Sequence, residues 1–307
     1  MRKRRSLTFM VSFSLPAWLV VACIPLASCG QGPASATQRP LSFTTIDYPG
    51  TTETILFKLN ASGDIVGGYF DSQGLPHGFL LQGGNFSPVD FPGAADLLPQ
   101  GINDSSEIVG PYDDSSGVTH GFLLQPDGNV VTIDPPGTVY TEANGINNAG
   151  IIAGRYFFGN NPGFQGYLFS NGNYIIVNVP GAISTSLASI NNHGDMVGYY
   201  QDASAAFHGF LMSNGQMTTI DFPGSNNTNA QDINDNGDIV GSTVIAGVRH
   251  GYLFSNGHYI MIDAPGASPA VSGIALSGTD THGINASGVI VGTYKDTGGV
   301  IHGFIAK

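Results

Sequence analysis

Cysteine, tryptophan and charge are all scarce in this 307-residue chain. It holds two cysteines, one tryptophan, and 10 Lys and Arg against 22 Asp and Glu. Both cysteines, Cys23 and Cys29, stand in the first 29 residues. Beyond them there is no thiol for a disulfide, a thiolate zinc site or a cysteine nucleophile. Stability there must come from packing and closure. Four of the bases, Arg2, Lys3, Arg4 and Arg5, open the chain, and no acid precedes Asp47. The remainder therefore carries 6 bases against 22 acids. That balance excludes nucleic acid, whose phosphates demand a basic footprint, and docking on anionic lipid by charge. Catalytic motifs are missing too: no G-x-S-x-G, no Walker A loop and no paired-carboxylate signature. His193, His258 and His282 lack metal-ligand spacing. No D-x-D-x-D-G run occurs, so calcium has no loop motif and no cofactor is expected. Wholesale disorder is excluded by a hydrophobic content of 41%, enough apolar surface to offset ordering entropy.

The leader reads as an address. A basic start precedes an apolar run from Leu7 to Leu26, broken by Pro16 and Pro25. The prolines leave less than the ~20 apolar residues of a membrane-spanning helix. Leu26-Ala27-Ser28-Cys29 resembles the lipobox of bacterial lipoproteins, in which the cysteine is acylated and becomes the mature N-terminus. That resemblance implies a signal peptide over 1–28, lipidation at Cys29, and no other membrane attachment. Gly30 rather than an Asp follows, which leaves an outer-membrane destination open. Val20-Val21-Ala22-Cys23 fits the same pattern but truncates the apolar core, and Ala34-Ser35-Ala36 offers a plain secretory cleavage site. Residues 29–41 are rich in Gly, Pro, Ser and Ala and read as a flexible tether.

What the remainder does have is a repeat. Leu/Ile-Asn recurs at Asn60, Asn103, Asn147, Asn191, Asn234 and Asn285. Pro-Gly pairs end at Gly50, Gly93, Gly137, Gly181, Gly224 and Gly266, spaced 43, 44, 44, 43 and 42 apart. His-Gly-Phe/Tyr begins at His77, His120, His208, His250 and His302, with Gln165 in its place once. Each unit reads I-N-x-x-G-x-I-V-G-x-Y, a variable loop, H-G-F-L, a tight turn, then x-x-I-D-x-P-G. Asn60-Ala61-Ser62-Gly63 suits a hairpin turn, since Asn bonds backbone ahead of it and Gly accepts the left-handed position. Short β-branched runs on either side read as strands. Four strands in about 44 residues is the size of one propeller blade.

The chain ends set the count. Residues 42–50 are a fourth strand with no unit before them, and His302 to Lys307 is a third strand with no fourth after it. The expectation is an all-β, six-bladed propeller over 42–307, four antiparallel strands to a blade; the favoured phase has the N-terminal strand complete the last blade, and the alternative begins each blade with the Ile-Asp strand and shares none. The units resemble the HAF extracellular repeats of bacterial envelope proteins, through Asn-x-x-Gly-x-Ile-Val-Gly followed by His-Gly-Phe. The resemblance implies export and a propeller-like β fold, and it brings no catalytic residues.

Repetition also weighs on function. His77, His120, His208, His250 and His302 recur with Asp47, Asp90, Asp134, Asp221 and Asp263, Asn178 standing in once. A His–Asp pair is the orienting half of a triad, yet one per blade serves each sheet alike, whereas catalysis needs a single asymmetric constellation. These residues and the six asparagines are therefore expected to be structural. Ligand-facing candidates are the loop acids Asp71, Asp113, Asp114, Asp202 and Asp296, with aromatics Phe70, Phe157, Phe158 and Phe207. Arg155, Arg249 and Lys295 are the bases close to those loops. The expectation is a monomeric, non-catalytic binding or scaffold module for a protein or a glycan. The alternative is a propeller-fold glycan lyase or hydrolase, to be sought where the chain departs from its template: Phe157 to Gln165 with Asn178, or the insertion 267–283. Acids converging with a His or Arg on one channel mouth would favour that alternative.

Overall fold

A computed structural model describes residues 41–159, 163–269 and 278–307. Cys29, the signal segment and most of the tether lie outside these residues, as does 270–277 of the insertion. The described chain is all β: a six-bladed propeller of four-stranded antiparallel blades. Blade 1 runs Thr54–Leu59, Ile65–Phe70, Pro76–Gln82 and Asn85–Val89 from the channel outward. Blades 2 to 5 repeat it. Blade 6 takes Gly278–Ile284, Ile290–Lys295 and Ile301–Ala306 from the C-terminus, and its outer strand is Phe43–Ile46 from the N-terminus. That strand pairs antiparallel with the last one, Phe43 opposite Ala306 and Ile46 opposite Gly303. The two ends thus close the ring without a covalent link.

The core sits between blades rather than within them. Six buried apolar clusters occupy the six blade interfaces. In one, Val66 and Val89 of blade 1 meet Leu97, Ile102, Ile108 and Phe122 of blade 2. The closing interface packs Leu56, Leu59 and Phe79 of blade 1 against Val291 of blade 6. Each fully buried side chain of this size contributes about 1.5–3 kcal/mol.

Two repeated motifs turn out to be one contact. The glycine of I-V-G lies directly opposite the aromatic of H-G-F/Y in every blade, as Gly67 opposite Phe79 and Gly154 opposite Tyr167. A Cβ on Gly154 would meet the Tyr167 ring at 2.7 Å and press into the Glu142 carbonyl. The bare strand makes room for the ring, and all six rings are buried from solvent.

Each innermost strand carries one irregularity at the same place. Register shifts fall between Leu56 and Lys58, Ala143 and Gly145, Leu187 and Ser189, Ala230 and Asp232, and Thr281 and Gly283. In blade 2 the corresponding stretch holds Pro99, and the strand divides into Asp96–Leu97 and Gly101–Ile102. A β-bulge leaves one residue unpaired and re-aims its side chain. Here those residues are Phe57, Asn144, Ala188, Gln231 and His282, with Gln100 at the same position in blade 2.

Candidate functional site

The asparagine turns form one face of the disc. Each Asn Oδ1 accepts backbone N–H groups of its own turn, as Asn147 does from Ala149 at 3.1 Å and Ile151 at 3.0 Å. Each Nδ2 then donates to the carbonyl of the next blade's asparagine. The bonds run Asn60 to Asn103, Asn103 to Asn147, Asn147 to Asn191, Asn191 to Asn234 and Asn234 to Asn285. Asn285 donates to Asn60 at 3.3 Å and completes the circle. A second, partial ring lies outside it: Asp104 accepts from the Ala61 N–H, Asn148 from Asp104, Asn192 from Asn148 and Asp235 from Asn192. It lapses at Ala286 and Ala61, which have no side-chain oxygen. Their turn-building role is local and legible in the sequence, whereas the clamp between blades joins positions 43 or more residues apart.

The repeated histidines and acids occupy the opposite face, each set inside its own blade. His120 Nδ1 lies 2.6 Å from Asp134 and its Nε2 3.5 Å from Asp114. His208 stands likewise between Asp221 at 2.8 Å and Asp202 at 3.4 Å. His302 stands between Asp47 at 2.9 Å and Asp296 at 3.5 Å. His250 bonds Asp263, and His77 bonds Asp71 but not Asp90. Burial opposes charge on His120 and His208, but their flanking aspartates outweigh it and hold both imidazoles above their ordinary value. Tyrosines from the second strands stack on the rings, Tyr200 on His208 at 5.0 Å among them. In blade 3 the pair becomes Gln165 and Asn178, an uncharged counterpart 3.5 Å apart.

The loop acids do not converge. Asp71, Asp114, Asp202 and Asp296 each cap their own loop, as Asp114 accepts from the N–H groups of Ser116 and Val118. The hydroxyls of Ser116 and Ser204 contribute most at Asp114 and Asp202, and the backbone bonds at Asp71 and Asp296, to hold all four carboxyls below the usual range. Asp113 accepts from the Thr119 hydroxyl. Phe158 packs on Tyr156, Phe157 against Phe164, and Phe207 against Tyr199, while Phe70 is half-buried beside the Glu53 carbonyl.

What does converge is the set of template positions that vary. On the face bearing the histidines, the channel mouth opens into a cavity of about 210 Å³. The bulge residues Phe57, Gln100, Asn144, Ala188, Gln231 and His282 line it, with Glu142, Ser186, Arg155 and Tyr199. Arg155 and Tyr199 fill the x of I-V-G-x-Y. Arg155 donates through Nε to Glu142 at 2.5 Å, through Nη2 to the same carboxylate at 2.9 Å, and through Nη1 to Tyr199 at 2.9 Å. Its guanidinium also lies 4.3 Å from the centre of the Phe164 ring. Tyr140 donates to Glu142 as well. Beside this group, Arg249 pairs with Asp280 at 2.9 Å, and His282 Nε2 lies 2.9 Å from the Thr293 hydroxyl. Burial pulls the His282 imidazole below its ordinary value, and Asp280 partly offsets this. Lys295 borders an adjoining apolar cavity of about 90 Å³, which shares Phe57 and His282.

The cavity has a floor. Two residues before each asparagine stand Lys58, Gly101, Gly145, Ser189, Asp232 and Gly283. Lys58 reaches across the channel from blade 1, donating to the Ala188 carbonyl of blade 4 at 2.6 Å, and pairs with Asp232 of blade 5 at 3.5 Å. Burial lowers the affinity of Lys58 for its proton, and Asp232 partly restores it. Asp232 also accepts from Ser189 at 2.5 Å and from the Ile284 N–H at 2.9 Å. Glycine at position 145 leaves room for this crossing, since a Cβ there would meet Lys58 Nζ at 3.0 Å. The floor separates the mouth from the asparagine ring. Among the described residues no group of three or more His, Cys, Asp or Glu is arranged to hold a metal.

No family model matches the chain, and no curated protein matches it. Among solved structures, TolB from Acinetobacter baumannii superposes with a TM-score of 0.54 at 14% identity, covering 68% of this chain and 53% of TolB. This chain thus spans about half the length of that protein. The lectin of Aleuria aurantia, described as a six-bladed β-propeller with fucose recognition, superposes at 0.50 with 12% identity over 82% of this chain and 90% of the lectin. AofleA from Arthrobotrys oligospora does so at 0.50 with 13% identity, over 85% of this chain and 81% of its own. At such identities the likeness establishes the fold: this chain is similar to six-bladed β-propellers.

Proposed function

We propose that this chain is an exported, non-catalytic binding module of the HAF-repeat type in the bacterial cell envelope. In this reading Cys29 carries the lipid, 29–41 tethers the ring, and the ligand, a glycan or a protein, enters the channel mouth that carries Arg155 and Tyr199. The observation behind it is a division of labour. Residues repeated in every blade are consumed by bonds within or between blades, whereas residues that vary meet at one mouth. A second reading, a glycan lyase or hydrolase, draws on the same place, because Glu142, Arg155 and His282 line it and Arg249 and Asp280 stand in the adjoining cavity. Binding is favoured because each carboxylate is tied to a base of its own, which leaves no free carboxyl to serve as general acid. In cells, the wild-type protein should be membrane-bound and Cys29→Ser released. Released protein should capture its ligand unchanged, and Tyr199→Ala should lose it. Turnover of a polysaccharide abolished by that change would establish the enzyme instead.

A further inference from the structure

Resting on the mouth as the binding site, the chemistry of its walls narrows the ligand. Charges at the mouth and next to it are matched one to one: the lining residues Lys58 and Arg155 with Asp232 and Glu142, and Arg249 with Asp280 in the adjoining cavity. None is left over to neutralise an ionic ligand, and the surrounding rim is acidic, which repels anions. Unspent capacity is all in neutral groups. The side chains of Gln100, Gln231 and Ser186 line the cavity and make no hydrogen bond within the described protein. Asn144 donates to the Leu187 carbonyl at 2.8 Å and leaves its buried Oδ1 without a donor. A buried polar atom left unpaired costs about 1–3 kcal/mol, which applies to Asn144 Oδ1, while the amides of the half-buried Gln100 and Gln231 and the Ser186 hydroxyl are open to a partner in the cavity. They belong to blades 2, 3, 4 and 5, while blade 1 contributes the aromatic Phe57, edge-on to His282 at 5.7 Å.

We infer that the mouth binds one uncharged sugar unit, the terminal residue of a glycan entering end-on. Hydroxyls radiating from a pyranose both donate and accept, as amides and a serine on strands arranged about an axis require, and an aromatic wall suits the apolar face of the ring. A cavity of about 210 Å³ holds a single such ring and is smaller than the ~300–1,000 Å³ of drug-sized sites. The Lys58–Asp232 floor stops the chain from threading through. An extended peptide would instead need an open edge to pair along.

The test is a glycan array followed by calorimetric titration of the purified protein with the methyl glycoside of the best terminal sugar. One site per chain is expected, with affinity about tenfold weaker in Gln231→Ala, the loss of one hydrogen bond of about 1.4 kcal/mol. Asp202→Asn, on the rim, should bind as wild type does. Several equivalent sites, or indifference to Gln231→Ala, would overturn both this inference and the mouth as the site. Binding confined to uronate-terminated glycans would overturn the uncharged class alone. So would a protein ligand lost in Gln231→Ala with no saccharide bound, and in both cases the mouth would stand as the site. Gln231→Leu, which keeps the volume, guards against misfolding and should weaken binding equally.

Discussion

A single asparagine does two jobs in each blade, and they separate by atom. Its oxygen organises a turn, a local bond spanning two to four residues, while its nitrogen reaches 43 to 51 residues along the chain to the next blade, or 225 where Asn285 closes on Asn60. Asn147→Asp keeps the oxygen and forfeits the donor to Asn191, and should cost about 1–3 kcal/mol by urea unfolding. Asn147→Ala, which forfeits both, should cost more. An unchanged midpoint in the aspartate variant would make the inter-blade bond inert. The His–Asp sets predict a pH response as well. Because folding raises the proton affinity of His120 and His208 above the ordinary 6.5, their contribution is complete below that pH and fades as pH climbs through the raised values. The loop carboxyls, depressed below 3.8, act oppositely: their contribution holds above that pH and fades as pH falls through the lowered values. Melting temperature should therefore plateau between about 4 and 6.5 and fall on both sides. Blade 3 supplies the control. Copying its amide pair with His208→Gln and Asp221→Asn should leave the fold intact and shallow the alkaline decline.

At the scale of the strand, two devices recur, and one of them builds the site. The glycine of I-V-G is required by the neighbouring ring and by a carbonyl of the inner strand, not by an unusual backbone angle. Gly154→Ala should therefore cost more than the ~1–3 kcal/mol of ordinary overpacking, because backbone cannot yield as a side chain can. Thermal unfolding would show it, and a variant melting within a few degrees of wild type would contradict the contact. The bulge of the inner strands is the other device. It turns one residue per blade out of the ladder and toward the axis, so the identity of that residue is free to vary. Gly and aromatic positions were legible as a motif because they repeat. Bulge residues were not, because their signature is variety: Phe, Gln, Asn, Ala, Gln and His share no chemistry that a template retains.

Closure belongs to the whole molecule. The strand Phe43–Ile46 covers the outer edge of blade 6, and Leu41 and Phe43 pack on its core. Removing residues 41–50 should expose that edge, promote aggregation and cost on the order of 5 kcal/mol of a total near ~5–15 kcal/mol. A synthetic peptide of the same ten residues should restore much of the melting temperature, read by circular dichroism with light scattering. A truncated ring that melts like the intact one would show the strand to be dispensable. The same closure joins the Asn285 and Asn60 turns, so the asparagine circle should fail with it.

The sequence by itself determined the number of units, their four-strand make-up and the hairpin turns, because those rest on short-range rules: alternation, turn chemistry and a period near 44 residues. It also pointed to Arg155 and Arg249 as rare bases near loops, and to the third unit as a place where the template breaks. Only the tertiary structure decided that Arg155 meets Glu142 and Tyr199, that Lys58 bridges to blades 4 and 5, and that loop acids spend themselves within their own blades. The contacts of Arg155 and Lys58 join residues 13 to 174 positions apart. Residues at the same level of six different strands become neighbours only when the ring closes around an axis, and a linear pattern holds no record of that axis.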